Sequence, residues 1–373
     1  MSHLPLADET HMPEKLLARE GKKFGKKWRT WVKPFTLPSM RKWKHLRTAF
    51  IPAWKEEGQE HKLLKRYFER GELAVDPVVW SVSGDMLLSW FVDVVPEEEP
   101  LPLGVIVQEI DGTTSPGIIF RECYPTFEGK PDKKAVVEQL LPEFEAVLAK
   151  IDNGLLPAEV MSGWNKDELP PREKVLEEHK SRLFMAAGVF HLSVSHTMCF
   201  KQNKHVYASC WPDTVSGIGM NKFEGFWPLV RTSMLDVKRK HGRCLTASID
   251  GKRHDAGCHP EEFASISYAR WKRLKAKSRY LHRMKYVYRN ITFTLIVLES
   301  GELVWVIGGN KSGQGNTTVD NTLIGIRRWF YILTALRRFD VIDQMLNFAS
   351  PMIVFSDDHL FWTWLLNEED YAD

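Results

Sequence analysis

Three carboxylates carry the chemistry that this chain of 373 residues could perform. Asp250 ends the run Arg243-Cys244-Leu245-Thr246-Ala247-Ser248-Ile249, which reads as a buried strand. Asp357 and Asp358 sit at the tip of 352–361, where apolar residues flank Ser356-Asp357-Asp358 in the pattern of a tight β-hairpin. An Asp-Asp turn is ordinary by itself, because turn chemistry favours Asp. Carboxylates on two neighbouring strands are a different matter. They can clamp two divalent ions about 3.5–4 Å apart, as in-line phosphoryl transfer requires. Hard cations such as Mg²⁺, or Mn²⁺, suit these oxygen donors and keep room for substrate phosphates. Lys174, Lys180 and Arg182 would neutralise an incoming triphosphate, and Ser312, Thr317 and Asn321 supply hydroxyl and amide groups to read a ribose.

The elements that must position these residues follow from periodicity and turn signals. Residues 54–72 read as a charged helix, 78–95 as strand-like or mixed, and 101–110 as a strand. A turn-forming run, Asp111-Gly112-Thr113-Thr114-Ser115-Pro116-Gly117, follows, whose amides and hydroxyls could track a phosphate backbone. Residues 133–153 form one amphipathic helix, and 172–182 extended strands that project cations from one face. A helix is expected over 261–277, strand character over 286–298, a hairpin turn at 299–302 and a returning strand at 303–307. The Gly-rich loop 308–316 then leads into one long helix ending near Leu346.

Composition sets the class. The chain is 43% hydrophobic and 27% charged, with 14 Trp and 20 Phe, as a large globular core requires. Five scattered cysteines with no CxxC pair argue for a reducing compartment and against a disulfide framework or zinc ribbon. No signal-peptide pattern and no apolar run of spanning length is present. The net charge of +3 hides a basic arm from Lys15 to Arg47, interleaved with Trp28, Trp31 and Trp43, a composition suited to phosphate neutralisation and base stacking. The Gly-rich loop is not a P-loop, because Asn310 stands where the GK[ST] ending needs Gly. Zinc is disfavoured too: Cys258, His259 and His254 lack a second ligand pair at a suitable spacing.

The order Asp250-x4-Asp255, Ser312-Gly313-x3-Thr317-x3-Asn321, Ser356-Asp357-Asp358 resembles motifs A, B and C of positive-strand RNA virus RNA-dependent RNA polymerases. The likeness is to the potyvirus and astrovirus branch, and the loop from Gly309 to Leu323 is similar to that branch's motif B nearly residue for residue. Glu173-Lys174-Val175 and Lys180-Ser181-Arg182-Leu183-Phe184 resemble motif F, Thr114-Ser115-Pro116-Gly117 motif G, and 219–227 the segment before motif A. Motif C carries Ser356 where most relatives have Gly.

The resemblance implies an α+β right-hand polymerase fold, fingers plus a palm on an antiparallel sheet, with the thumb absent or truncated. It divides the chain into a basic arm and fingers-associated region (1–100), fingers with motifs G and F (101–235), palm with motif A (236–260), a palm–fingers connection (261–302) and palm with motifs B and C (303–373). It makes Asp250 and Asp357 principal ligands of two Mg²⁺ or Mn²⁺ ions, with Asp358 auxiliary. Asp255 and Asn321 would pair to sense the 2′-hydroxyl, assisted by Ser312, Gly313 and Thr317. Lys174, Lys180 and Arg182 would line the NTP entry, and Thr114, Ser115, Pro116 and Gly117 would guide the template. The implied partners are an RNA template, the nascent strand and NTPs, in a replication complex in the host cytoplasm. The chain stops fifteen residues after Asp358, so the resemblance implies either an incomplete reading frame or a thumb supplied by a second chain or a shifted reading frame. A non-catalytic RNA-binding remnant or one half of a split polymerase is the alternative. A reverse transcriptase is disfavoured by the Ser312–Asn321 pattern.

Overall fold

The computed structural model describes residues 53, 59–110, 116–117, 120, 133–166, 168, 170–178, 181–221, 225–251, 253–346 and 351–364. The basic arm, Thr114, Ser115 and Lys180 lie outside the described residues. Helices and two sheets make up the described chain, and one of the sheets is wholly antiparallel.

The first part is helical: α1 (Gln59–Phe68), α2 (Pro77–Val94), α3 (Leu103–Glu109), α4 (Lys133–Gln139) and α5 (Leu141–Asp152). Two of these overturn the strand expectations. The 78–95 segment is rich in β-branched and aromatic residues, yet Asp76 caps it by accepting from the Val78 and Val79 amides, and Pro77 supplies a preset first turn. Ser83, Leu87, Trp90 and Phe91 then fall on one buried face. Burial likewise makes 103–109 a helix, through Leu103, Ile106 and Val107. The single helix expected over 133–153 is two, because Pro142 at the start of α5 has no N–H with which to continue the helix from α4.

A four-stranded mixed sheet follows, in the order β2 (Leu183–Ala186), β1 (Val160–Asn165), β4 (Phe293–Val297), β5 (Leu303–Ile307). β1 runs antiparallel to β2 and parallel to β4, and β4–β5 is the expected hairpin. Between β1 and β2 the extended reading fails again, since α6 (Arg172–Glu178) is helical and carries Lys174 on its exposed surface. Residues 286–292 are also helical, as the end of α10 (Leu281–Thr292), and only from Phe293 does the chain become a strand.

α7 (Val189–Ala208) and α10 run through the main core beside α9 (Pro260–Lys272) and α11 (Thr317–Ala335). α11 stops short of Leu346: Arg337 turns to φ +56° and α12 (Phe339–Leu346) begins anew. α8 (Phe226–His241) leads into the second sheet, antiparallel in the order β3 (Leu245–Asp250), β7 (Asp358–Thr363), β6 (Met352–Phe355). β3 is an edge strand and largely exposed, contrary to the buried strand expected at 243–250.

One core histidine makes a pH prediction. His191 of α7 is fully buried, with Nε2 donating to the Val287 carbonyl at 3.2 Å and Nδ1 without a partner. Burial pushes it down to about 4. The folded state therefore binds fewer protons than the unfolded chain between pH 6.5 and 4, and stability is lost as pH falls through that window. The full loss is on the order of 3 kcal/mol. We expect thermal melts at pH 7, 5.5 and 4 to show this descent in the parent and a shallower one in His191→Phe. Equal slopes would remove His191 as the cause.

Candidate active site

The acidic turn is built on the β6–β7 hairpin, where Phe355 pairs with Asp358. Ser356 adopts φ +56°, a conformation that favours glycine. Three polar contacts hold it there. Its N–H donates to Thr322 Oγ1 at 2.9 Å, its Oγ accepts from Asn321 Nδ2 at 3.1 Å, and its carbonyl faces His359 Nε2 at 3.1 Å. The serine side chain thus makes a tie to α11 that glycine could not. Trp329 Nε1 can only donate, and it lies 3.1 Å from His359 Nδ1. The proton of His359 is therefore on Nε2, where it serves Ser356.

β3 and β7 bring the remaining carboxylate to this turn. Asp250 is directly opposite Asp358, and the Gly251 amide donates to the Asp357 carbonyl at 2.9 Å. All three carboxylates therefore stand at one end of the antiparallel sheet. Partial burial, then the charges of Asp357 and Asp250, raise the Asp358 carboxyl above its usual range. Such crowding of negative charge is what a bound cation relieves. The chemistry of the donor set fits a hard divalent ion. No three Asp, Glu, His or Cys side chains among the described residues converge on one point as a ready-made ion cage, however.

The Gly-rich loop packs beside the hairpin. Lys311 is fully buried, its Nζ donating to the carbonyls of Ile291 (2.8 Å), Gly308 (2.6 Å) and Gly309 (3.2 Å). Burial lowers its affinity for a proton well below the ordinary lysine range. It shapes the loop instead of reaching a phosphate, which accords with the rejected P-loop. Thr317 Oγ1 donates back to the Lys311 and Gln314 carbonyls at 2.8 and 2.9 Å. Ser312 Oγ accepts from the Met185 amide at 3.3 Å, and Gly313 bridges to Ala186 of β2. A Cβ on Gly313 would come within 2.4 Å of the Met185 carbonyl, so only glycine permits this junction. Arg182, exposed just before β2, lies 3.8 Å from Glu168.

Asp255 and Asn321 lie in the same region, but their side chains do not bond each other. Asn310 links them: its amide donates to the Asp255 carbonyl at 2.6 Å, and its Nδ2 to Asn321 Oδ1 at 2.7 Å. The Asp255 carboxylate is held by Arg66 and Tyr67 of α1. Pro116 and Gly117 are buried, the Pro116 carbonyl accepting from the Val189 amide at 2.8 Å at the start of α7. Asn310, Thr322, Trp329, His359 and Arg66 thus enter the site without having been singled out by type or spacing. Only Asn310 and Thr322 had a sequence signal, their place inside the stretch that resembles motif B.

The comparisons accord with this geometry. A family model described as viral RNA-dependent RNA polymerase matches residues 55–364, and the chain belongs to that family. It is similar to the genome polyproteins of Bean yellow mosaic virus (30% identity over 194 residues, 51% of this chain and 6% of the polyprotein) and Tobacco vein mottling virus (28% over 213 residues, 56% and 7%). A Plum pox potyvirus polyprotein (strain El amar) is 29% identical over 177 residues, 48% of this chain and 11% of its own length. The matches thus cover only a small part of these relatives. The expected likeness to the potyvirus branch holds. No helix of the described residues is long and apolar enough to cross a membrane.

Proposed function

We propose that this chain contributes the fingers and palm of a right-hand polymerase that makes RNA on an RNA template in viral replication. The observation that carries this reading is the placement of Asp250 across from Asp358, with Asp357 fastened to Gly251, beside a loop tied to the same turn through Asn321. The palm assignment covers 236–260 and 303–373, the fingers 101–235, with 1–100 associated and 261–302 connecting them. Asp250 and Asp357 would hold the two divalent cations, with Asp358 auxiliary. Those cations, when bound, would neutralise charge on the transferring phosphoryl group.

The protein's own groups do the rest. The hairpin orients the carboxylates, and the Ser356 clamp fixes the turn on α11. Lys174, Lys180 and Arg182 attract the triphosphate, Ser312, Gly313, Thr317, Asn321 and Asp255 read the ribose, and Thr114 to Gly117 guide the template. The primer 3′-hydroxyl attacks the α-phosphate in line and pyrophosphate leaves. RNA and NTPs are the partners in this reading, and the host cytoplasm the place of action. The test is incorporation of labelled NTP on a primed RNA template, with Mg²⁺ or Mn²⁺ and with chelator. Template-dependent, chelator-sensitive extension is the expected result. RNA binding that is salt-sensitive, with no extension under any metal, would overturn the catalytic reading.

A further inference from the structure

Asp255 is assigned above to the ribose, and its carboxylate is already gripped by a helix that no polymerase motif accounts for. Arg66 Nη2 of α1 donates to Asp255 Oδ2 at 2.8 Å, and the Tyr67 hydroxyl donates to the same oxygen at 3.2 Å. The Ala256 amide takes Oδ1 at 2.9 Å. The Arg66 guanidinium also lies over the Tyr67 ring, 5.2 Å from its centroid. Tyr67 is buried, and burial together with Asp255 raises its phenol, so it remains a donor.

The grip extends beyond this pair. Arg70, one turn further on, donates from Nη1 to the Cys258 carbonyl at 2.9 Å and from Nη2 to the Ile307 carbonyl at 2.9 Å. Glu69 reaches Arg253 at 3.5 Å. The receiving loop is cut to fit. Gly308 and Gly309 have φ +65° and +72°, and a Cβ on either would strike Arg70 (2.3 Å) or the Tyr67 ring (2.5 Å). Close approach of α1 to the loop therefore depends on both glycines.

We infer that Arg66 and Tyr67 are positioning residues for sugar selection, acting through Asp255. Two donors on Oδ2 and one on Oδ1 stop the carboxylate from rotating. Both of its oxygens then act as acceptors, Oδ2 facing Arg66 and Tyr67 and Oδ1 the Ala256 amide. An acceptor fixed in place accepts the 2′-hydroxyl of a ribonucleotide and is left unpaired by a deoxyribonucleotide. This rests on the ribose role proposed above for Asp255.

The test measures kcat/KM for an NTP and its 2′-deoxy counterpart on one primed RNA template, with variants first checked for folding by thermal melting. Arg66→Met is expected to reduce the preference for NTP about tenfold, the size of effect seen when an outer-shell partner of a reacting ligand is lost. The loss should fall mainly on KM for the NTP. Arg66→Lys restores part of the preference, and Arg66→Met adds little in an Asp255→Asn background. A structural role alone would lower both nucleotides equally, and an unchanged preference in Arg66→Met would overturn the inference while extension itself continues. A parent protein that extends with neither nucleotide, and shows no difference between Mg·NTP and Mg·2′-dNTP in equilibrium binding, would instead overturn the polymerase reading and this inference with it.

Discussion

Asp250→Ala and Asp357→Ala are each expected to reduce nucleotide incorporation about 10³-fold or more, with no loss of thermal stability. Removing a single preorganised electrostatic group from a transition state costs about 10²–10³ in rate. In the proposed site each carboxylate would also help hold a cation whose charge stabilisation is worth several kcal/mol. Stability should not fall, because these groups repel one another. Asp358 carries the sign of that repulsion: burial, then the negative charges of Asp357 and Asp250, raise its carboxyl. Asp250 is also exposed and Asp357 half-buried at the turn, so losing either side chain leaves no enclosed cavity. Asp358→Asn, at the carboxylate proposed as an auxiliary ligand, should cost closer to tenfold. Primer extension over a Mg²⁺ and Mn²⁺ titration, beside a melting curve, separates the two readouts. Extension within about tenfold of the parent in either alanine variant would remove that carboxylate from the metal site.

The same three carboxylates show how far sequence reading reached. The β6–β7 hairpin and the strand ending at Asp250 were legible because short strands bounded by turn residues declare themselves. The pairing of β3 with β7 spans more than a hundred residues, and only the resemblance to motifs A and C pointed to it. Strand readings failed at 78–95, 101–110 and 286–292 for one shared reason. Val, Ile, Trp, Tyr and Phe favour strands where one face is buried, but these segments lie in a helical core that surrounds them. Tertiary burial overrode local propensity there. Arg66 was illegible for a different reason: in a charged helix it looks like surface decoration, and its partner Asp255 lies 189 positions away.

A buried ion pair behind the Gly-rich loop carries the largest stability prediction. Arg270 of α9 and Asp320 of α11 are both fully buried and meet at 2.9 Å. Arg270 Nε also donates to Asp320 Oδ1 at 3.2 Å, and the guanidinium reaches Gln202 Oε1 (3.3 Å) and Asn203 Oδ1 (2.9 Å) of α7. The Tyr288 hydroxyl of α10 donates to Asp320 at 3.1 Å. Four helices are thereby joined at the residue preceding Asn321. Asp320→Ala leaves a guanidinium buried without its counter-charge, a cost of about 3–5 kcal/mol. In a chain of this size, that corresponds to a fall in Tm on the order of 10 °C. Asp320→Asn keeps an acceptor for Arg270 and should cost less. The double variant Asp320→Leu, Arg270→Met removes both charges together and should recover much of the loss, since an apolar pair avoids the desolvation of two ions. That recovery is the decisive arm, because it separates an unpaired charge from a simple packing defect. A double variant that melts below both single variants would mean that the polar network to Gln202, Asn203 and Tyr288, and not the ion pair, holds the helices together.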